Sequence, residues 1–396
     1  MKTLLQQTLH EFAGSRNHAE RNGDQPASVA ISLRPSRSIK RELAGQGYVY
    51  ARHFLALPSV ASPRWLFPVL NGHCTRAGLE IYKPFARRAR ILKGLLTGMV
   101  AAHCQGLAPH RLLIASRGAL PLEDLVREVT GECQPVFALS VGAEARFRKL
   151  TVQVMRPQGE ILGYIKLPLT DAALDRVRYE AATLNRLWEF PALRPHIPRV
   201  LYSGEWGQSA ILFQSGGPPR SGPVRLGRQA EEFLQLLQSI HPVQKPGHVL
   251  WEEVAARWRQ AEPSLTSWWR ALGQAALAKA RRELDGVTIP FVVSHGDFAP
   301  WNTRGGDEGL FVFDWESASW EAPSRWDVFH FKTQVAALLD KNHDLYLSPD
   351  RRSGDRASFV LYLLTSACEL ASEASPSQGV GLDFRRRLLA KQLGGY

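Results

Sequence analysis

The chain has 396 residues, 44% hydrophobic and 22% charged, with a formal net charge of +12 and a pI of about 9.8. This composition excludes a disordered polar chain and leaves room for two or three domains with their own cores. The four cysteines, Cys74, Cys104, Cys133 and Cys368, lack a framework spacing, which points to reduced thiols; no sustained apolar segment follows Met1, so neither a signal peptide nor a membrane span is expected, and a cytoplasmic protein is.

The charge is unevenly placed. Residues 1–130 hold 18 Lys and Arg against 8 Asp and Glu. Such a front end can meet an anionic membrane surface, a nucleic acid or a phosphorylated substrate. No nucleic-acid module accompanies the charge, so nucleic acid is not an expected partner.

Residues 1–45 are polar and aperiodic, expected as a short helix and then loosely held chain. Stretches 48–56, 64–70 and 77–82 read as strands divided by Pro/Ser and Asn-Gly turn signals, and 111–116 as one more. Residues 86–102 and 121–129 read as helices, the second with Leu122, Leu125 and Val129 on one face. The first opens with Arg87, Arg88, Arg90 and Lys93, and carries Ile91, Leu92, Leu95, Leu96, Met99 and Val100 behind them. A basic amphipathic helix of this kind either covers a sheet or lies in a membrane interface. The pairs His73-Cys74 and His103-Cys104 suggest metal ligands, but adjacent residues in an extended segment point opposite ways, so packing is the better reading.

Three strands are expected next, at 136–141, 149–155 and 161–167, with Lys166 near the end of the third. In the helix that follows, Asp171 suits the positive N-terminal end, and Leu174, Val177, Ala181, Leu184, Leu187 and Trp188 make an apolar stripe. Glu180 sits on or beside that stripe, where a carboxylate needs a partner; Lys166 is the obvious one. The loop at 140–149, Ser-Val-Gly-Ala-Glu-Ala-Arg-Phe-Arg-Lys, has a single glycine. Strands at 199–202 and 209–213 lead into a Gly/Pro-rich linker at 214–222, and helices are expected at 228–240, 249–284, 328–339, 357–371 and 384–393. Eight of the eleven tryptophans lie between Trp251 and Trp326. Helical spacing puts Trp251, Val254 and Trp258 in a core, whereas Trp301, Trp315 and Trp320 are candidates for stacking on a sugar or a cation.

The stretch that organises the chain is Ser294-His295-Gly296-Asp297-Phe298-Ala299-Pro300-Trp301-Asn302, followed by Phe313-Asp314-Trp315-Glu316. Each segment ends an apolar run. Phosphoryl transfer from a nucleotide needs this set: a carboxylate at the accepting hydroxyl, and an amide and a second carboxylate holding Mg²⁺ against the phosphates. Asp297 is the candidate catalytic residue; Asn302 and Asp314 are candidate metal ligands.

These motifs resemble the aminoglycoside phosphotransferase and choline kinase family, over roughly residues 131–345. The resemblance implies an α+β chain with a bilobal protein-kinase-like fold: a small β-rich lobe at 131–215 and a large, mainly helical lobe at 216–396, behind an extra basic N-terminal α/β region at 1–130. It implies a Mg²⁺-dependent transfer of the γ-phosphoryl of ATP or GTP to a hydroxyl of a small molecule. Lys166, fixed by Glu180, would neutralise phosphate charge, so that Lys166, Glu180, Asn302 and Asp314 together bind the nucleotide, whose base would lie against residues 211–216. Asp327 would organise the catalytic loop, and His295 would pack beneath it. Gly296 stands where protein kinases carry an arginine, and no A-P-E string follows Asp314, which favours a small-molecule acceptor. Residues 290–330 carry seven acids against two arginines, a modest surplus once Asp297 and Asp314 are committed, so a sugar, a lipid-linked alcohol or another metabolic alcohol fits better than a polycation. The single-glycine loop is the departure from pattern. It keeps open an alternative, a catalytically degenerate kinase-like binding or regulatory module acting through its basic N-terminal domain.

Overall fold

The computed structural model describes Phe12 and residues 29–33, 35–85, 87–104, 108–142, 145–339, 354–372 and 378–394. The helix expected near the start, Phe12 apart, and Ala143 and Glu144 of the single-glycine loop lie outside the described residues. The chain divides into two compact units: Met1–Ala143, Phe147–Asn185 and Pro198–Gly217 form one; Glu144–Arg146, Arg186–Ile197 and Pro218–Tyr396 form the other. The first is β-rich and the second mainly helical, an α+β architecture of the kind expected.

Among the described residues the first unit is built on nine antiparallel strands: β1 (Val29–Ser32), β2 (Tyr50–Leu57), β3 (Trp65–Pro68), β4 (Arg111–Ser116), β5 (Val136–Val141), β6 (Lys149–Met155), β7 (Ile161–Pro168), β8 (Val200–Trp206) and β9 (Ser209–Gln214), in the order β1-β4-β2-β3-β5-β6-β7-β9-β8. β3 pairs with β5 through Trp65↔Ser140 and Leu66↔Leu139, so strands from residues 1–130 and strands beyond 131 share one sheet. Successive strand residues point to opposite faces. Phe54 and Leu66 accordingly join one core, with Ile114, Leu139, Val152, Ile165 and Phe213, while Leu55 and Phe67 join another. On the first face lies helix α4 (Pro121–Thr130), contributing Leu122, Leu125 and Val126. Between β1 and β2 runs α1 (Arg37–Gly45); α2 (Gly72–Gly78) and α3 (Arg87–Ala101) precede β4.

The stretch 77–82, expected as a strand, is instead the end of α2 and a 3-10 turn, Leu79–Ile81. Asn71 explains the difference: its side-chain oxygen accepts from the Cys74 amide at 2.8 Å, so the Asn-Gly pair caps a helix rather than turning a hairpin. Cys74 is then fully buried, and burial pushes its thiol up to about 11, in keeping with a packing role. α3 packs Leu96, Met99 and Val100 on the sheet. Helix α5 (Asp171–Trp188) begins after Thr170, whose hydroxyl accepts from the Ala173 amide at 3.2 Å, with Asp171 in the first turn.

The second unit gathers α6 (Arg228–Gln238), α7 (Gly247–Ala261), α8 (Ser267–Leu284), α9 (Trp326–Leu338), α10 (Asp355–Ser372) and α11 (Gln378–Gln392). Residues 357–368 of α10 are all buried. Trp258 lies so close to Gly273 that a Cβ there would sit 2.2 Å from its ring, and the Trp251 indole donates to the Leu277 carbonyl at 2.8 Å; both tryptophans are core residues, as their spacing suggests. Two small antiparallel sheets carry the motifs. One joins β10 (Arg220–Ser221), β13 (Thr303–Gly306) and β14 (Gly309–Val312); the other joins β11 (Val243–Pro246), β12 (Thr288–Ser294) and β15 (Ser319–Pro323). Among the described residues no helix is long and apolar enough to cross a membrane.

Candidate active site

β12 drives the chain into the site. Phe291, Val292 and Val293 are buried, and the strand runs out at Ser294, where polar residues begin. The turn that follows is held by one carboxylate. Asp327, buried in the first turn of α9, accepts from the His295 amide at 2.8 Å and from the Gly296 amide at 3.0 Å. Two backbone donors that leave a strand end are thereby satisfied without water. The structural role implied for Asp327 is what its contacts show.

Gly296 is required by geometry. Its φ is +80°, and a Cβ would lie 2.0 Å from the Ser317 carbonyl oxygen. No arginine could occupy this position without moving the 315–318 turn. His295 is fully buried: Nδ1 accepts from the Asp297 amide at 3.2 Å and Nε2 donates to the Phe313 carbonyl at 3.0 Å, with the ring edge-on to Trp315 at 4.7 Å between centroids. These partners assign a neutral ring with the proton on Nε2. His295 therefore ties the Asp297 segment to the Asp314 segment.

Asp297 and Asn302 meet directly. The Asn302 amide nitrogen donates to the Asp297 side chain at 2.8 Å and to its carbonyl at 2.9 Å. With that nitrogen committed, the carbonyl oxygen is what Asn302 has left to offer a cation. The hairpin of β13 and β14 brings Asp314 alongside: Thr303 pairs with Val312, and the Phe313 amide donates to the Asn302 carbonyl at 3.0 Å. Asp314 itself has φ +72°, a left-handed backbone that side chains other than glycine adopt reluctantly. Strain held at a carboxylate is an arrangement suited to binding, and Asn302 and Asp314 offer hard oxygens of the kind Mg²⁺ takes.

The other oxygen of Asp297 reveals a residue that the motif did not. His330 Nε2 donates to Asp297 Oδ1 at 2.9 Å, and the buried Tyr362 hydroxyl lies 3.3 Å from His330 Nδ1. A carboxylate can only accept, so Nε2 carries the proton and Nδ1 accepts from Tyr362. The Gln334 amide, 3.1 Å from the same Nε2, must then turn its oxygen toward the ring. Burial pushes the Tyr362 phenol up to about 12, keeping it a donor at neutral pH. The sequence does contain a signal for this residue: His330 follows Asp327 by one helical turn, on the same face of α9.

In the first unit, Lys166 at the end of β7 and Glu180 on α5 form the expected ion pair. Nζ lies 2.5 and 2.6 Å from the two carboxylate oxygens, and the residues are 4% and 0% exposed. Of the three candidate stacking tryptophans, Trp315 is withdrawn. It is fully buried, donates to the Val312 carbonyl at 2.9 Å and packs on Phe233 and His295. Trp320 has the Arg186 guanidinium 3.4 Å over its ring. Trp301 is half-buried. Structure thus joins Asp297, Asn302 and Asp314 in one unit and Lys166 with Glu180 in the other.

Residues 150–325, which include all five, match the model of a phosphotransferase enzyme family described by the abbreviation APH. A search of curated proteins returned no match. Among solved structures the chain is similar to wild-type aminoglycoside 2'-phosphotransferase-IIIa in its GDP complex, at 12% identity over 69% of this chain and 97% of that one, TM-score 0.46. It is also similar to a thermostable mutant of aminoglycoside phosphotransferase APH(4)-Ia with AMP-PNP and hygromycin B, at 14% identity over 69% and 98%, TM-score 0.47. A third is choline kinase LicA from Streptococcus pneumoniae, at 12% identity over 69% and 98%, TM-score 0.45. Likenesses this distant carry no argument of their own. The resemblance seen in the motifs rests on the family match.

Proposed function

With residues 150–325 carrying the pattern of a phosphotransferase family, we propose that this chain moves the γ-phosphoryl of ATP or GTP to a hydroxyl of a small molecule. The observation that carries the reading is the Asp297–Asn302 contact, with the left-handed Asp314 beside it. Asp297 orients the accepting hydroxyl and takes its proton, a largely positional task in a loose transition state. His330 and Asn302 hold the two carboxylate oxygens, so the side chain cannot swing away from the hydroxyl. The Asn302 oxygen and the Asp314 carboxylate would hold Mg²⁺, which supplies charge neutralisation to the transferring phosphate. Lys166 keeps its charge on the nucleotide phosphates because Glu180 grips it.

The acceptor we favour is a sugar, lipid-linked or other metabolic alcohol. Gly296 cannot be replaced by the phosphate-reading arginine of protein kinases, and the modest acidic surplus around the site does not suit a polycation. We place the protein in a reducing, cytoplasmic setting, supported by four unpaired cysteines. Mg²⁺-dependent thermal stabilisation by ATP or GTP, followed by labelled-phosphate transfer to a panel of alcohols, tests the proposal. Turnover by the wild type and its loss in Asp297→Asn is the expected result.

A degenerate, regulatory kinase-like module is the second reading, favoured by the glycine-poor loop. Gly142 is its single glycine, and Phe147 is capped by the Arg176 guanidinium at 3.4 Å. Nucleotide-induced stabilisation without transfer to any acceptor would select it.

A further inference from the structure

α3 buries one side and leaves the other uncovered. Its packed residues are Leu96, Met99 and Val100, yet Ile91, Leu92 and Leu95 are 57%, 38% and 67% exposed. Positions 91, 92 and 95 fall on one helical face. A Cβ built at Gly94 or Gly98 would meet nothing within 4 Å, so the outward surface stays open along the helix. Arg87, Arg88 and Arg90 are exposed at its start, whereas Lys93 is engaged by Glu80. Between Glu80 and Glu123 the chain has no acid at all, while Lys83, Arg87, Arg88, Arg90, Lys93, Arg111 and Arg117 are all cations. Among the described residues none of Arg87, Arg88 and Arg90 is in an ion pair.

Charge decides the occupant. A second copy would bring three arginines against three arginines. A nucleic acid would reward the arginines but leave three large aliphatic side chains in water. A headgroup layer rewards both: guanidinium on lipid phosphate, aliphatic side chains in the acyl boundary. We propose that α3 docks this protein on an anionic lipid surface, lying flat with Ile91, Leu92 and Leu95 sunk into the boundary and Arg87, Arg88 and Arg90 on the phosphates. The inference stands independently of the phosphotransferase reading.

The test uses the full chain and sedimentation with phosphatidylcholine vesicles, with and without phosphatidylglycerol. Retention is expected on the anionic vesicles alone, falling as salt rises. The triple variant Arg87→Gln, Arg88→Gln, Arg90→Gln should bind about a hundredfold more weakly, since each juxtamembrane cation contributes roughly a factor of five. Ile91→Ser, Leu92→Ser, Leu95→Ser should bind at least about tenfold more weakly. Both variants should keep the parent's melting temperature, because the substituted side chains face solvent. As a second readout, Leu95→Trp should shift its emission to the blue on anionic vesicles only. No retention, or retention that the serine variant leaves unchanged, overturns the proposal in favour of no docking or a simple polyanion site. A concentration-dependent dimer broken by the serine variant, without vesicle binding, overturns it in favour of a second copy.

Discussion

Lys166–Glu180 and the Asp297 cluster are both built from charge, on opposite terms. In the first, each charge answers the other through two short bonds with almost no exposure. In the second, the Asp297 side chain remains 35% exposed while Asn302 and His330 hold its oxygens from two sides. A sealed pair fixes where a charge sits. A half-open carboxylate fixes where a charge sits and still lets a hydroxyl reach it. Mutations should therefore separate the two regions, Lys166 variants failing in stability as well as in nucleotide binding and Asp297 variants in turnover alone.

The largest effect is expected at Asp297. Asp297→Asn should lower kcat by about 10²–10⁴-fold, the usual worth of a positioned acid–base group, with nucleotide-induced stabilisation unchanged. Transfer at the wild-type rate under saturating nucleotide would remove Asp297 from the reaction. Next comes Lys166→Met, which removes the cation 2.5 Å from a fully buried Glu180 and should reduce stability by about 3–5 kcal/mol in urea unfolding. Adding Glu180→Leu should return most of that loss; a double variant as unstable as the sum of the singles would show that the pair is not the cause.

His330→Phe removes the donor to Asp297 and should lower kcat roughly ten- to a hundredfold, as expected for a hydrogen bond to a charged group, with His330→Gln recovering part of it. If Phe and Gln behave alike, His330 acts by packing alone. Gly296→Ala forces a side chain against the Ser317 carbonyl and should cost about 1–3 kcal/mol of stability; an unchanged melting curve would refute the tight turn.

The smallest effect is chemical. Burial pushes Cys74 up to about 11 and Cys368 up to about 12, from an ordinary value of 9.0. Both thiols hold their protons more tightly in the folded chain, so their contribution to stability is complete below pH 9.0 and is lost as pH rises toward those values. At pH 8 a thiol reagent should modify the exposed Cys133 quickly and reach Cys74 and Cys368 only after unfolding. Rapid labelling of Cys74 in the native protein would contradict its burial.

Much of this comparison was legible in the residue order. Short-range patterns survive folding: strand alternation around Lys166, the stripe carrying Glu180, and the spacing of Asp297, Asn302 and Asp314 each depend on neighbours within one or two elements. The misreading at 77–82 came from a local ambiguity, since Asn-Gly serves equally as a hairpin turn and as a helix cap, and the Cys74 amide decides between them. Trp315 looked like a ligand-stacking ring because it adjoins Asp314, but its backbone turns it inward onto Phe233 and His295.

By itself the sequence determined which chemical groups this protein has and where its apolar periods change, and that was enough to single out the acids, the amide and the lysine as candidates. Tertiary structure alone decided that His330, 33 residues past Asp297, and Tyr362, 32 further on, close on the Asp297 carboxylate, and that strands before and after residue 131 run as one sheet. The reason is physical: hydrogen bonds and sheet pairing are set by distances in space, which a chain reaches by packing helices and strands whose separation along it carries no such information.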